Sequence, residues 1–190
     1  MKQAIAVTGL LLLAACGGGG GGGGPIEPEP LPPPNYAGTW TGSYTVSSCT
    51  NSGFFADAAL CGSVLNTTAA FGFVLAQSNR TVTGTFSLGS LNSPAVSATI
   101  ANDGSLVLAA PVAQGSFTLT TTWTLQQATA GALTGQTRQV WTAAGQSGDA
   151  VLQGPIVSAA RVTGVRRNQT LPQLSGTSLQ QLVDLTRASQ

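Results

Sequence analysis

Three cysteines, no histidine and one lysine, Lys2, define the chemical repertoire of this 190-residue chain. Ser-His-Asp and Cys-His relays need an imidazole to take the proton of the nucleophile. Ser-Lys dyads and phosphate-binding loops need an ammonium group within the folded domain. Neither requirement is met, so the chain reads as non-enzymatic. Gly145-Gln146-Ser147-Gly148-Asp149 comes nearest to a nucleophile elbow but lacks the closing glycine and reads as a turn. Asp57, Asp103, Asp149 and Asp184 are dispersed among mostly small or turn-forming residues, and no spacing suggests a carboxylate pair, which makes a hydrolase the least favoured class. Two cysteines without histidine do not complete a tetrahedral metal site, and no cofactor or metal is expected. The remaining distinctive side chains are aromatic. Trp40, Trp123, Trp141, Phe71 and Phe73 either fill a core or line a cavity.

The elements that must position these residues begin with an address. Met1-Lys2 supplies a positive charge, Ala4 to Leu13 is apolar apart from Thr8-Gly9, and small residues precede Cys16, the layout of a secretory signal peptide. The apolar stretch is shorter than the roughly 20 residues a spanning helix needs. Leu13-Ala14-Ala15-Cys16 resembles the bacterial lipobox. That resemblance implies cleavage before Cys16 and attachment of diacylglycerol, with further acylation such as palmitate, to make a lipoprotein. Two or more acyl chains anchor durably where one does not. Gly17 stands where an aspartate commonly signals inner-membrane retention, so the resemblance favours the outer membrane and leaves open which leaflet the domain faces.

Gly17 to Gly24 has no side chains to bury and behaves as random coil, spanning about 16 Å on average. The proline-dense segment Pro25 to Pro34 favours an extended polyproline II form reaching roughly 30 Å. The domain is therefore expected to sit on a two-part stalk. Once the signal carrying Lys2 is removed, six arginines face six acids, so there is no electrostatic case for nucleic acid or for an anionic membrane surface. With Cys16 taken by lipid, Cys49 and Cys61 remain as an even pair in an oxidising compartment, and a disulfide is expected. Such a loop contributes roughly 2 to 3 kcal/mol.

From Trp40 onward the pattern is period two, the mark of half-buried strands. Trp40, Gly42, Tyr44 and Val46 alternate with Thr and Ser; Phe71, Phe73 and Leu75 follow, then Val82, Gly84, Phe86 and Leu88. Val96, Ala98 and Ile100 lead to Asn102-Asp103-Gly104, a hairpin signal, and to Leu106 and Leu108. Phe117, Leu119, Thr121, Trp123 and Leu125 form the longest set and turn near Gly131 into Leu133, Gly135, Thr137, Gln139 and Trp141. Val151 to Thr163 supplies a last strand or two, with Gly154-Pro155 arguing for an edge or a strand start there. About eight such strands predict an all-β antiparallel meander closed into a barrel. Closure removes the strand edges that a lysine-free domain cannot protect with charge. A short C-terminal helix is expected from the Ser178 and Gln181 capping box, with Leu179, Leu182, Val183 and Leu185 on one side.

Gly38-Thr39-Trp40 at the first strand resembles the Gly-x-Trp signature of lipocalin-like barrels. The resemblance implies that Trp40 plugs one barrel end beneath an arginine of the last strand, a role open to Arg161 or Arg166. The plan is equally similar to lipid-anchored surface proteins whose barrel binds a host protein. The expected organisation is a signal peptide (1–15), lipidated cysteine and linker (16–35), barrel domain (36–167) and tail with a short helix (168–190). The expected function is that of a membrane-anchored envelope lipoprotein with a non-enzymatic barrel that binds a protein partner or a small apolar ligand. The alternative is a structural or assembly component of the outer membrane. If Trp123 and Trp141 pack on Phe71, Phe73 and Phe86 the barrel is full; otherwise room for a ligand remains.

Overall fold

The computed structural model describes residues 32–129 and 131–163. Residues 1–31 with Cys16, Arg166 and the helix expected from Ser178 lie outside the described residues. The elements are β1 (Gly38–Thr45), β2 (Ser48–Asn51), α1 (Phe54–Asp57), α2 (Leu60–Val64), β3 (Thr68–Ser78), β4 (Thr81–Leu88), β5 (Leu91–Asn92), β6 (Val96–Thr99), β7 (Leu106–Gln114), β8 (Phe117–Thr129), β9 (Ala132–Ala143) and β10 (Ala150–Arg161). The strands run in the order β5-β4-β3-β1-β10-β9-β8-β7, with β6 on β4 and β2 on β10, all antiparallel. The expected meander is therefore present.

The first strand is the clasp. β1 pairs with β3 from Gly38↔Leu75 to Thr45↔Thr68, and with β10 from Trp40↔Arg161 to Tyr44↔Ile156. At the opposite seam β6 and β7 are joined by the Asn102-Asp103-Gly104 hairpin, where the Ala101 N–H donates to Ser105 O at 2.8 Å and Gly104 takes a φ of +82°. No ladder is formed between β6 and β7, so the barrel is nearly rather than fully closed.

Burial alternates along β7, β8 and β9 with the period expected of a barrel wall. Leu106, Leu108, Ala110 and Val112 of β7 point inward, as do Leu119, Thr121, Trp123 and Leu125 of β8. The outward positions of β8 are Thr118, Thr120, Thr122 and Thr124, and large apolar side chains exposed among the described residues are limited to Leu65, Val74, Val107 and Val157. An apolar interior under a threonine-rich exterior is the reverse of what a membrane-spanning barrel requires.

Two features depart from the sequence expectation. Residues 54–64 form two short helices between β2 and β3. Pro155 lies inside β10, which is one continuous central strand rather than an edge. The ring is tolerated because the partner of β10 changes there: β2 pairs with Ala150 to Gln153, β1 takes over at Ile156, and no rung on that side needs the missing N–H. The neighbouring Gly154 is required by the same crossover, since a Cβ at this position would sit 1.7 Å from Thr45 O.

Candidate functional site

The five aromatic residues singled out from the sequence, Trp40, Trp123, Trp141, Phe71 and Phe73, all lie in the barrel interior. Trp40 and Trp123 are fully buried, Phe71 and Phe73 are 1% exposed and Trp141 5%. Their strands bring them together in layers. Trp40 and Phe73 are opposed across β1 and β3, and Phe73 faces Phe86 across β3 and β4.

At one barrel end Trp40 is held by its ring nitrogen, which donates to Tyr36 O at 2.8 Å. The guanidinium of Arg161 lies over the indole, 4.7 Å from the ring centroid, and donates to Asn35 O. Of the two arginines suggested by the Gly-x-Trp resemblance, Arg161 on the last strand takes the position. The segment leading into β1 is stitched across this end. The Tyr36 N–H donates to Gln77 Oε1 at 2.7 Å, the Tyr36 hydroxyl to Gly104 O at 2.7 Å, and the Asn35 N–H to Gln127 Oε1 at 3.0 Å. Gln77 returns a bond to Pro34 O at 3.0 Å. Burial raises the Tyr36 hydroxyl above its ordinary pKa, so it stays a neutral donor.

In the middle, Trp123 is enclosed by aromatic rings. Its centroid is 4.7 Å from Phe71, 5.2 Å from Phe73, 5.6 Å from Tyr44 and 6.2 Å from Phe86, most of these edge-on. Offset and edge-to-face pairs of this kind stabilise beyond their area burial. The filled arrangement is thus the one adopted at this level. Trp141, by contrast, belongs to none of these ring pairs and lies nearer the other end, opposite Leu119 and Ala150.

That second end is covered by α1 and α2. Phe55, Leu60 and Val64 are buried, and Phe54 and Phe55 pack on Phe117 with centroids 6.3 and 6.2 Å away. The expected disulfide is formed: Cys49 on β2 is bonded to Cys61 on α2, with S–S at 2.01 Å. The loop 144–149 is fastened beneath this segment, with Ser147 O accepting from the Phe54 N–H and Asp149 Oδ1 accepting from the Ser52 hydroxyl at 2.9 Å. The bonded roles of Gly145 to Asp149 are therefore those of a connecting loop. Asp57, Asp103 and Asp149 lie on different loops or elements, and no cluster of three metal-ligating side chains occurs among the described residues.

The sequence pattern put the polar members of the interior in phase with the apolar ones but did not mark them as site residues. Thr121, Thr137 and Gln139 are at most 3% exposed, and Gln139 Nε2 donates to the Tyr44 hydroxyl at 2.6 Å. Burial raises the Tyr44 hydroxyl above the usual tyrosine range, against a smaller opposing effect of the Gln139 bond. A signal was present in the alternation, because these residues occupy the same phase as Leu119, Trp123, Leu133 and Trp141.

No protein-family model and no curated protein matches the chain. Among solved structures it is similar to one titled "REP1-NXSQ fatty acid transporter", at 11% identity over 68% of this chain and 97% of that one, with a TM-score of 0.26, a superposition too loose to bear on function.

Proposed function

We infer that the chain is an envelope lipoprotein anchored through Cys16, in which the barrel is a non-enzymatic binding domain that engages a protein partner with its outer surface. The observation carrying this reading is the enclosure of Trp123 by Tyr44, Phe71, Phe73 and Phe86, which fills the barrel where a long apolar ligand would lie. Contact then belongs to the exterior. That exterior is rich in Thr and Ser, and the described residues carry only Arg80, Arg138 and Arg161 against Asp57, Asp103 and Asp149. A weakly charged surface suits association without long-range steering. The outer membrane is the expected site because Gly17 follows the cysteine.

Two experiments test the two halves of this reading. Cys16→Ser should move the protein from the membrane fraction to the soluble fraction, and unchanged, detergent-dependent fractionation would defeat the anchor. Crosslinking in intact cells should capture a reproducible protein partner through exterior positions such as Thr120 or Thr124. If the adducts instead join this chain to a membrane-assembly complex, the accessory role in outer-membrane construction is favoured.

A further inference from the structure

The inner wall of β8 and β9 carries a block of polar side chains unlike the rest of the barrel interior. Across the ladder Leu119 faces Trp141, Thr121 faces Gln139 and Trp123 faces Thr137, so five of six positions bear a hydrogen-bonding group. All five are at least nine-tenths buried, with Thr121 and Trp123 at 0% exposure. Side chains opposed in this way stand about 5 Å apart, which makes the block one contiguous site.

Gln139 is bonded to Tyr44, but Thr121 Oγ1, Thr137 Oγ1, Trp123 Nε1 and Trp141 Nε1 have no hydrogen-bond partner in the protein. Buried polar side chains in native structures nearly always have one, and each exception calls for a physical reason. Four exceptions on two neighbouring strands share one reason. The wall offers two indole N–H groups, which can only donate, and two hydroxyls, which donate or accept. What satisfies it is rich in acceptors.

Charge and space narrow the class. The block contains no charged side chain, so a buried anion or cation would be left unpaired there. Trp123 is already packed against Phe71 and Phe73, so the complement is small. The geometry points to a binding site on the inner wall of β8 and β9 for a small uncharged hydrogen-bond acceptor of a few heavy atoms, either ordered water or a carbonyl- or hydroxyl-bearing molecule in its place. The site lies in the half of the barrel toward α1 and α2, because Trp141 is two residues from Ala143, whose ladder partner Phe117 packs against Phe54 and Phe55. This inference does not depend on an exterior partner, and the two can fail separately.

The test uses the full-length mature protein carrying ¹⁵N-labelled tryptophan, whose three indole resonances are assigned by single Trp→Phe replacements. Trp40, bonded to Tyr36 O, is the internal control. The Trp123 and Trp141 indole protons should show cross-relaxation with long-lived water, or should shift saturably on titration with acetamide, while Trp40 does neither. Water cross-relaxation without an acetamide shift identifies the complement as water; a saturable shift identifies an organic acceptor site. Either signal should disappear in Thr121→Val/Thr137→Val, whose melting temperature should fall by a few degrees. The absence of both signals at both indoles overturns the proposal, and the paired valines should then raise the melting temperature by removing unpaired hydroxyls. Partner crosslinking through the exterior should be unaffected by the valine pair, which separates this site from the functional reading above.

Discussion

The two ends of the barrel are closed by different means. At the Trp40 end, a single stretch, Pro34 to Trp40, is bonded to β3, the β6–β7 hairpin, β8 and β10, so closure is shared among strands distant in sequence. At the other end, two helices of four and five residues cover the opening through the Phe54, Phe55 and Phe117 contacts and one disulfide. Neither helix has a side-chain hydrogen bond at its N-cap. Helices this short are not stable through their own hydrogen bonds. The first closure is therefore part of the fold's cooperative unit, whereas the second is a cover secured covalently.

This contrast can be broken most severely at Trp40. Trp40→Ala removes a fully buried indole, leaves the tightly packed neighbours a cavity and takes away the face on which Arg161 rests. A loss of about 3 to 5 kcal/mol is expected, seen as one cooperative shift in chemical denaturation with both ends failing together. If only the Trp40 end loosened, the ends would be equivalent. Removing the disulfide with paired Cys49→Ser and Cys61→Ser should cost roughly 2 to 3 kcal/mol. Hydrogen exchange should then accelerate mainly in residues 52–67, leaving β1 and β10 protected; uniform acceleration would contradict a separable cover. Arg161→Met keeps most of the packing but removes the cation over the ring. With the bond to Asn35 O also lost, it should cost about 1 kcal/mol in chemical denaturation and displace the Trp40 indole resonance, with the helical end unchanged.

Alkaline titration sharpens the comparison with a smaller and more gradual effect. Tyr36 belongs to the first end and Tyr44 to the half under the helices, and burial raises both hydroxyls. Because the folded protein holds these protons more tightly than the unfolded chain, their contribution is fully present below about pH 10. It is lost as the pH climbs through the raised values. Phenolate absorbance should therefore appear together with unfolding in the parent. Tyr44→Phe should remove part of that alkaline sensitivity without disturbing the bonds of Tyr36.

Most of the barrel was legible because inward and outward residues alternate along β7, β8 and β9, and because Asp103-Gly104 marks a turn whose glycine has positive φ. The Gly38-Thr39-Trp40 signature also pointed to Arg161 or Arg166, and Arg161 is the ladder partner of Trp40. The cover was hidden for a physical reason. Phe54 to Val64 is too short for a helical period to emerge, and its two helices are separated by Ala59 in a left-handed conformation that sequence composition does not announce. Pro155 misled because a proline's tolerance depends on which neighbour a strand has at each rung, and β10 exchanges neighbours there. The alternation placed Thr121, Thr137 and Gln139 on the inner face, but which of their polar atoms find a partner depends on how distant strands meet, which periodicity does not carry.

The stitching of Pro34 to Trp40 has a mechanical consequence. A pull on Pro34 along the axis of β1 enters a strand whose hydrogen bonds to β3 and β10 lie across that axis. These two ladders bear the load in shear, all rungs at once, instead of unzipping one by one. The side-chain bonds of Asn35 and Tyr36 meet the force before the ladders do. A barrel clasped by its own first strand is thus best braced where that strand begins.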